Sequence, residues 1–192
     1  MPPAIHLDQL IHTLKDHTLN DTEQNILQQG NVVLTGSEGN YAVWALVNAA
    51  LPTVWDVLTA YEQFPDFLPS VVAARVLERR DNRVWVERRD RRKIGFLPIK
   101  VKIVTENIEF EQERIDYQMV EGTLDSMQGS WRLVPIPAPD NAPTTLLVQT
   151  IAATANMGPL QGYFYEVFET GLVETIADLR AEMTRRVEAP LQ

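Results

Sequence analysis

Residues 83–93 (RVWVERRDRRK) hold the densest group of chemically active side chains, because five of these eleven residues are arginines. An arginine in an apolar setting can hold a carboxylate, a quinone oxygen or a developing enolate through its planar fork of N–H donors. The segment has the alternation of a β-strand, so successive side chains point to opposite faces. One face carries Val84, Val86, Arg88, Asp90 and Arg92, and the other carries Trp85, Glu87, Arg89, Arg91 and Lys93. Either face brings an arginine inward, and Arg88 is the best inward candidate.

A structural role is the alternative for these arginines, and the sequence favours it for most of them. Acidic residues recur on the strands predicted to follow, where they are placed to form cross-strand pairs worth less than about 1 kcal/mol each. They are Glu106, Glu109, Glu111, Glu113 and Asp116. The sequence does not decide which face of residues 83–93 turns inward.

The charge distribution limits the partners of this protein. The net charge is -9, yet residues 75–102 contain eleven of the 17 basic residues and only four acidic ones. A basic band on an acidic body argues against general affinity for nucleic acid, so no DNA partner is expected. The basic band is compatible with one surface that binds anions.

Catalytic and metal-binding motifs are absent from the sequence. There is no cysteine, and the three histidines, His6, His12 and His17, miss the i, i+4 spacing of a helical metal pair. No serine-hydrolase, zinc-protease, P-loop or dinucleotide-binding motif occurs. Four other candidates for acid–base chemistry show no paired spacing: Asp66, Tyr117, Glu121 and Asp125. We therefore assign no catalytic residue, metal or cofactor, and the sequence favours a binding protein over an enzyme.

Hydrophobic runs are short throughout the chain. None approaches about eighteen residues, and residues 1–29 lack the apolar centre of a secretory signal. We expect a cytoplasmic protein, with contact at the periphery of a membrane as an open alternative.

The hydrophobic periodicity predicts a helical N-terminal extension followed by a single α+β domain. Residues 1–30 have helical spacing and Gly30 can end the second helix, so we divide the chain into 1–30 and 31–192. Residues 31–35 and 41–49 form a predicted hairpin. A helix follows at Pro52, with capping-box spacing between Thr53 and Asp56 and an end before Pro65.

From Val71 the period changes to two, which is typical of strands joined by short turns and therefore paired antiparallel. The predicted strands are 71–77, 83–93, 99–110, 113–121, 127–134 and 144–155. A stiff proline-rich loop separates the last two. An amphipathic helix then runs from Pro159 to about Val187, with a length of roughly 40 Å that is enough to cross a sheet.

This order of elements, together with two motifs, resembles the START-like (SRPBCC, helix-grip) superfamily. The segment 49–69 (AALPTVWDVLTAYEQFPDFLP) is similar to the polyketide cyclase/dehydrase branch. Gly129-Ser130-Trp131 is similar to a strand of that branch's coenzyme Q-binding proteins, and the resemblance covers about residues 40–187. It implies a curved antiparallel sheet wrapped around the long C-terminal helix, with an apolar cavity for lipids, sterols, quinones or polyketides between them.

The resemblance makes the inward side chains of the strands and the long helix candidate ligand contacts. The same stripe would otherwise be solid core, and Gly171 would then face a neighbouring side chain instead of a ligand. The candidates are Arg88, Val101, Ile103, Tyr117, Met119, Trp131, Phe164, Val167, Phe168, Gly171 and Leu172.

The function implied is binding of a hydrophobic small molecule, such as a lipid, an isoprenoid quinone or a polyketide-like compound, for transport or sequestration. One alternative is a polyketide cyclase or dehydrase, in which an arginine and a tyrosine polarise a carbonyl and move a proton. Another is an interaction module that docks its basic band on an acidic partner, such as a ribosome or a membrane surface. The sequence leaves the oligomeric state open.

An apolar turn follows the arginine segment directly, with Ile94, Phe96 and Leu97 around Gly95 and before Pro98. An apolar tip beside a basic band suits contact with an anionic membrane or a gate over a cavity. The alternative is that the turn packs over the cavity mouth or under the N-terminal helices.

If the turn touches membranes, the protein should float with anionic vesicles at low salt, and the triple change of Ile94, Phe96 and Leu97 to serine should abolish flotation. Neutral vesicles are the control, because the attraction requires anionic lipid and weakens as salt rises. Absence of flotation at low salt would argue strongly against membrane contact.

Overall fold

The computed structural model describes residues 19–94, 97–136 and 142–189, without the side chains of residues 93, 94 and 97. Eight strands form one antiparallel sheet in the order β1-β2-β8-β7-β6-β5-β4-β3. The strands are β1 (Val33–Ser37), β2 (Asn40–Val47), β3 (Val71–Arg80), β4 (Arg83–Ile94), β5 (Leu97–Phe110), β6 (Arg114–Gly122), β7 (Ser126–Ile136) and β8 (Thr144–Thr154). The first hairpin and the six later strands are thus confirmed.

Four α-helices accompany the sheet in the described part of the chain. They are α1 (Asp21–Gln28), α2 (Leu51–Leu58), α3 (Phe64–Phe67) and α4 (Gln161–Glu188). Single 3-10 turns at Tyr61–Gln63 and Gly158–Leu160 precede α3 and α4. With 28 residues, α4 is about 42 Å long, which confirms the predicted helix and the helix-grip arrangement.

The main core lies between α4 and the inner face of the sheet. Strand β2 shows the alternation that builds it, since Tyr41, Val43, Ala45 and Val47 all belong to this core. From α4 the deepest contributions are apolar side chains on the half nearer the C-terminus: Ile176, Leu179 and Met183. Helix α2 and the residues after it pack on this core through Val54, Trp55, Leu58, Phe64 and Phe67.

A second, smaller core covers the outer face of β1, β2 and β8. Leu19 and Leu27 pack there with the fully buried Trp44. Helix α1 begins with a capping box, in which Asn20 Oδ1 accepts from the Glu23 N–H at 3.0 Å and Glu23 Oε2 accepts from the Asn20 N–H at 2.8 Å. Gly30 follows with φ 82°. The end of the helix before Gly30 is confirmed, and the domain boundary after residue 30 stays a prediction.

One prediction for the segment after Pro52 is wrong. Helix α2 begins at Leu51 with Ala50 as its N-cap, so Thr53 lies inside the helix and makes no cap. The helix ends at Leu58, before Pro65 as predicted, and Pro65 lies in the first turn of α3. Both Pro52 and Pro65 thus lie in first helical turns, where proline is tolerated because its missing N–H has no intrahelical partner in any case.

The side chain of Tyr117 connects three strands, and Gly129 leaves the space through which it passes. Tyr117 on β6 lies opposite Gly129 on β7, and its hydroxyl donates to the Thr150 carbonyl on β8 at 3.0 Å. A Cβ on Gly129 would overlap the Thr150 carbonyl oxygen and come within 2.6 Å of Tyr117 Oη. The missing side chain therefore makes the passage for the tyrosine.

Gly129→Ala should lower the free energy of unfolding by about 3 kcal/mol, because the new methyl group meets backbone that cannot move aside. Urea-induced unfolding measures this change. Gly162→Ala is the matched control: a Cβ there meets nothing within 4 Å, and the change should be between zero and a gain of about 1 kcal/mol. A Gly129→Ala protein as stable as the control would contradict the proposed role.

Candidate functional site

A cavity with two connected lobes separates the inner face of the sheet from α4. The inner lobe, toward α2 and α3, has a volume of about 90 Å³, and the outer lobe, toward the start of α4, about 200 Å³. Seven residues line both lobes and form the waist between them: Arg88, Ile103, Met127, Trp131, Gln149, Ile151 and Thr175. The rest of the lining is mainly apolar, so the cavity can hold a hydrophobic molecule.

Ten of the eleven residues that the sequence singles out lie in the walls of this cavity. Tyr117 lines the inner lobe; Arg88, Ile103 and Trp131 line both lobes. The remaining six line the outer lobe: Val101, Phe164, Val167, Phe168, Gly171 and Leu172. Whether they contact a ligand stays a prediction.

Met119 is the exception and lines neither lobe. The β5–β6 register shifts by one residue beside Met119: Val104 pairs with Glu121, whereas the next residue, Thr105, pairs with Met119. The sulfur of Met119 turns to Gly122, where it lies 2.6 Å from the position that a Cβ would take. Strand alternation places Met119 on the same face as Tyr117, but it does not reveal that the Met119 side chain turns toward Gly122.

Strand β4 turns its Val84 face toward the helix, which settles the question that the sequence left open. Val84 and Val86 are buried, and the next three side chains of that face reach the cavity. Asp90 is only 7% exposed, and its Oδ1 lies 3.0 Å from Arg88 Nε. Neither of these two atoms makes a properly directed hydrogen bond within the described chain. Arg88 and Asp90 therefore attract each other through their opposite charges, and each of these two atoms can still form a directed hydrogen bond with another partner.

Arg92 fills the space that Gly171 leaves open. A Cβ on Gly171 would lie 2.8 Å from Arg92 Nη1, so the absence of a side chain there accommodates the guanidinium group. Burial lowers the pKa of Arg92, while Asp90 opposes that shift. Glu174 on α4 lies 3.7 Å away and adds a second acidic neighbour. A neighbouring side chain, one of the two possibilities considered for Gly171, therefore lies against it, and contact of Gly171 with a ligand stays a prediction.

Asp178, one turn further along α4, belongs to the same charged group. Burial raises its pKa, and the nearby charge of Glu174 raises it further, whereas Arg92 lowers it. Arg92 is therefore flanked by acids on α4. The charged residues that line the outer lobe itself are Arg88, Asp90, Arg92 and Lys100.

Tyr117 and Gln149 form a polar contact at the waist. Gln149 is 6% exposed, and its Nε2 donates to Tyr117 Oη at 3.3 Å. Gln149 Oε1 is buried without a hydrogen-bond partner among the described residues. Burial raises the pKa of the Tyr117 hydroxyl, and this hydroxyl already donates its hydrogen bond to the Thr150 carbonyl oxygen. Tyr117 is thus a poor proton donor for a bound molecule.

Several of the remaining arginines pair with acids. On the outer face of the sheet Glu87, which is buried, lies within 3.4 Å of Arg75, Arg89 and Lys102. Glu106 pairs with Arg83 on the same face, and both Glu113 and Asp116 pair with Arg114. Glu109 lies on the inner face, opposite Ile115, and pairs with Arg79. Among these pairs, only Arg83 with Glu106 joins an arginine of residues 83–93 to an acid of a later strand, so a structural role for the others stays a prediction.

The cavity residues that the sequence interpretation missed include Asp90, Arg92, Gln149 and Thr175. Asp90 and Arg92 share the strand face of Arg88, which was a usable signal. Gln149 interrupts the apolar run 146–153 (LLVQTIAA), and a buried polar residue in such a run points to a specific partner. The candidate gate residues Ile94, Phe96 and Leu97 have side chains outside the described residues, as do His6, His12 and His17.

Within the described residues, no group of three histidine, aspartate or glutamate side chains is arranged to hold a metal ion. No helix in that part of the chain is long and apolar enough to cross a membrane.

Comparison with known proteins connects this cavity with a family. Residues 47–180 match the model of a family described as polyketide cyclase / dehydrase and lipid transport. No curated protein sequence matches the chain. The fold is similar to that of the ZhuI aromatase/cyclase from Streptomyces sp. R1128, at 20% identity and a TM-score of 0.67, over 78% of this chain and 96% of that one.

Two further structures share the fold. A STAR-related lipid transfer protein fragment from Xanthomonas axonopodis aligns at 16% identity and a TM-score of 0.61, over 80% of this chain and 92% of that one. A START superfamily protein from Mycobacterium smegmatis aligns at 18% identity and a TM-score of 0.56, over 77% and 95%. At these identities the likeness establishes the START-like fold and not the ligand.

Gly171→Ala should change stability by less than about 1 kcal/mol, because the gain in helix propensity offsets the displacement of the flexible end of Arg92. In an Arg92→Ala background the obstacle is gone, and the same substitution should stabilise the protein by about 1 kcal/mol. Urea unfolding of the four proteins measures this coupling. Identical effects of Gly171→Ala in both backgrounds would show that Arg92 does not constrain Gly171.

Proposed function

Because the chain belongs to the polyketide cyclase / dehydrase and lipid transport family, we propose that it binds a hydrophobic small molecule between the sheet and α4, for transport or sequestration. Lipids, isoprenoid quinones and polyketide-like compounds are the ligand classes considered. The proposal rests on one observation: the sheet and α4 enclose a two-lobed cavity whose walls are mainly apolar.

Affinity in such a site comes mainly from apolar surface removed from water, at roughly 25 cal/mol per Å². The outer lobe offers aromatic and aliphatic walls from α4, including Phe164, Val167 and Leu172. The inner lobe offers Leu58, Phe64 and Ile115. A few polar groups at the waist are available to orient the ligand, which is the usual division of labour in small-molecule sites.

Catalysis as a cyclase or dehydrase is less well supported by the cavity. That alternative assigns proton transfer to a tyrosine, but the Tyr117 hydroxyl donates to Thr150 and burial raises its pKa. The carbonyl-polarising arginine would be Arg88, which already faces Asp90. These contacts favour binding over proton transfer by Tyr117.

Docking on an acidic partner is also less well supported. That alternative needs exposed positive charge, whereas on the outer face of the sheet Arg83 pairs with Glu106, and Arg75 and Arg89 share Glu87. Ion pairs of this kind reduce the field that would attract a ribosome or an anionic membrane.

Val167→Phe should weaken binding of the neutral hydrophobic dye N-phenyl-1-naphthylamine by tenfold or more, because the larger side chain occupies the outer lobe. Val173→Phe is the matched control, since Val173 lies on the same helix, is also half-buried and lines neither lobe. Fluorescence titration measures affinity, and native mass spectrometry of the purified protein detects a ligand that co-purifies. Equal affinity in both variants, or failure of the dye to bind the unmodified protein, would count against the cavity as the binding site.

A further inference from the structure

The waist of the cavity contains a buried hydrogen-bond acceptor without a donor. Gln149 Oε1 has no partner in the part of the chain that the structure describes, although Gln149 lines both lobes. A buried amide oxygen left without a hydrogen bond is costly, so natural structures nearly always supply a partner from protein, water or ligand. The source of that partner is therefore informative.

The orientation of the Gln149 amide follows from its neighbours. Tyr117 donates its only hydroxyl hydrogen to the Thr150 carbonyl, so Tyr117 Oη is left to accept. The NH₂ end of Gln149 must then face Tyr117, as the distance of 3.3 Å from Nε2 to Oη shows. The amide oxygen is the end left free.

The nearby hydroxyl and amide donors are committed to other acceptors. The Thr175 hydroxyl donates to the Gly171 carbonyl at 2.7 Å. Asn107 Nδ2 donates to the Val84 carbonyl at 3.1 Å and to Thr105 Oγ1 at 3.0 Å. These side chains share the lining with Gln149 and leave its oxygen for a guest molecule.

The charges at the waist indicate that the guest's polar group is neutral there. Arg88 is the charged residue that lines both lobes, and Asp90 lies 3.0 Å from its Nε and offsets its charge. The other cations that line the outer lobe lie further out: Arg92, which is 3.7 Å from Glu174, and the exposed Lys100. A carboxylate at the waist would meet Asp90 as well as Arg88, whereas a hydroxyl avoids the cost of burying another charge.

We propose, on the basis of the proposed binding function, that the cavity selects a neutral alcohol or phenol whose hydroxyl donates to Gln149 Oε1 at the waist. The hydroxyl oxygen in turn accepts from the Arg88 guanidinium group, whose Nε lacks a directed hydrogen bond within the described chain. Apolar parts of the ligand extend from this hydroxyl into both lobes. A quinone or ketone, which only accepts, leaves Gln149 unsatisfied.

The test compares two probes that differ in one hydrogen-bond donor. Diphenylmethanol places a hydroxyl between two apolar rings, and its methyl ether keeps the oxygen but cannot donate. Displacement of N-phenyl-1-naphthylamine gives both affinities. We expect the unmodified protein to bind the alcohol roughly tenfold more tightly than the ether, which corresponds to about 1.4 kcal/mol.

Gln149→Met should reduce that alcohol-to-ether ratio at least fivefold, because it removes the acceptor while keeping a side chain of similar length. Gln128→Met is the matched control: it makes the same substitution at an exposed position on β7 that lines neither lobe, and it should preserve the ratio. Comparing the two ratios also cancels the size difference between the probes. Cooperative urea unfolding verifies that both variants are folded, and the probe comparison on the unmodified protein stands without them.

The outcomes separate the two proposals. If the dye binds and both probes displace it equally, or if Gln149→Met keeps the preference, the hydroxyl proposal is overturned while the binding function stands. If neither dye nor probes bind, both proposals fail. A preference for the alcohol that disappears only in Gln149→Met supports the assignment.

Discussion

The need to accommodate three charged side chains between a sheet and a helix determines much of this structure. Arg88, Asp90 and Arg92 all project from β4 toward α4. Charged groups with these shapes do not interlock with aliphatic side chains as densely as a hydrocarbon core does, and each requires a partner to offset its desolvation. The main core is consequently closed near Ile176 and Met183, which line neither lobe, while space remains around the arginines.

The two faces of the sheet handle charge differently. On the outer face the arginines reach water and pair with Glu87 and Glu106, so their solvation is largely kept. On the inner face Arg92 occupies a gap in α4 that Gly171 provides. Two glycines thus make room for large polar side chains, Gly129 for Tyr117 in the sheet and Gly171 for Arg92 against the helix. They differ in how strictly they are required, because a Cβ on Gly129 would meet fixed backbone, whereas a Cβ on Gly171 would meet the flexible end of Arg92.

The polar groups of the cavity are few, and their hydrogen-bonding state limits what they can do. Tyr117 has already used its donor, whereas Gln149 retains an unused acceptor. An engaged group holds the wall in place, and an unengaged group discriminates between guests, since a ligand without the matching donor leaves it buried and unpaired. The hydrogen-bonding state of the polar residues, more than their number, therefore decides which of them support the cavity wall and which of them select the ligand.

The sequence by itself determined the elements and the apolar stripe, because periods of 2 and 3.6 residues are local properties that a strand or helix reports directly. It therefore predicted the strands, the long helix and ten of the cavity-lining residues, and its motifs indicated the family. It could not decide which face of β4 turns inward, that Gly171 opposes Arg92, that Met119 turns to Gly122, or that Gln149 keeps a free oxygen. Those features depend on contacts between side chains far apart in the chain, such as Arg92 with Gly171 and Tyr117 with Gln149. They exist only once the sheet has closed on the helix, and local patterns carry no information about which distant side chain fills a given space.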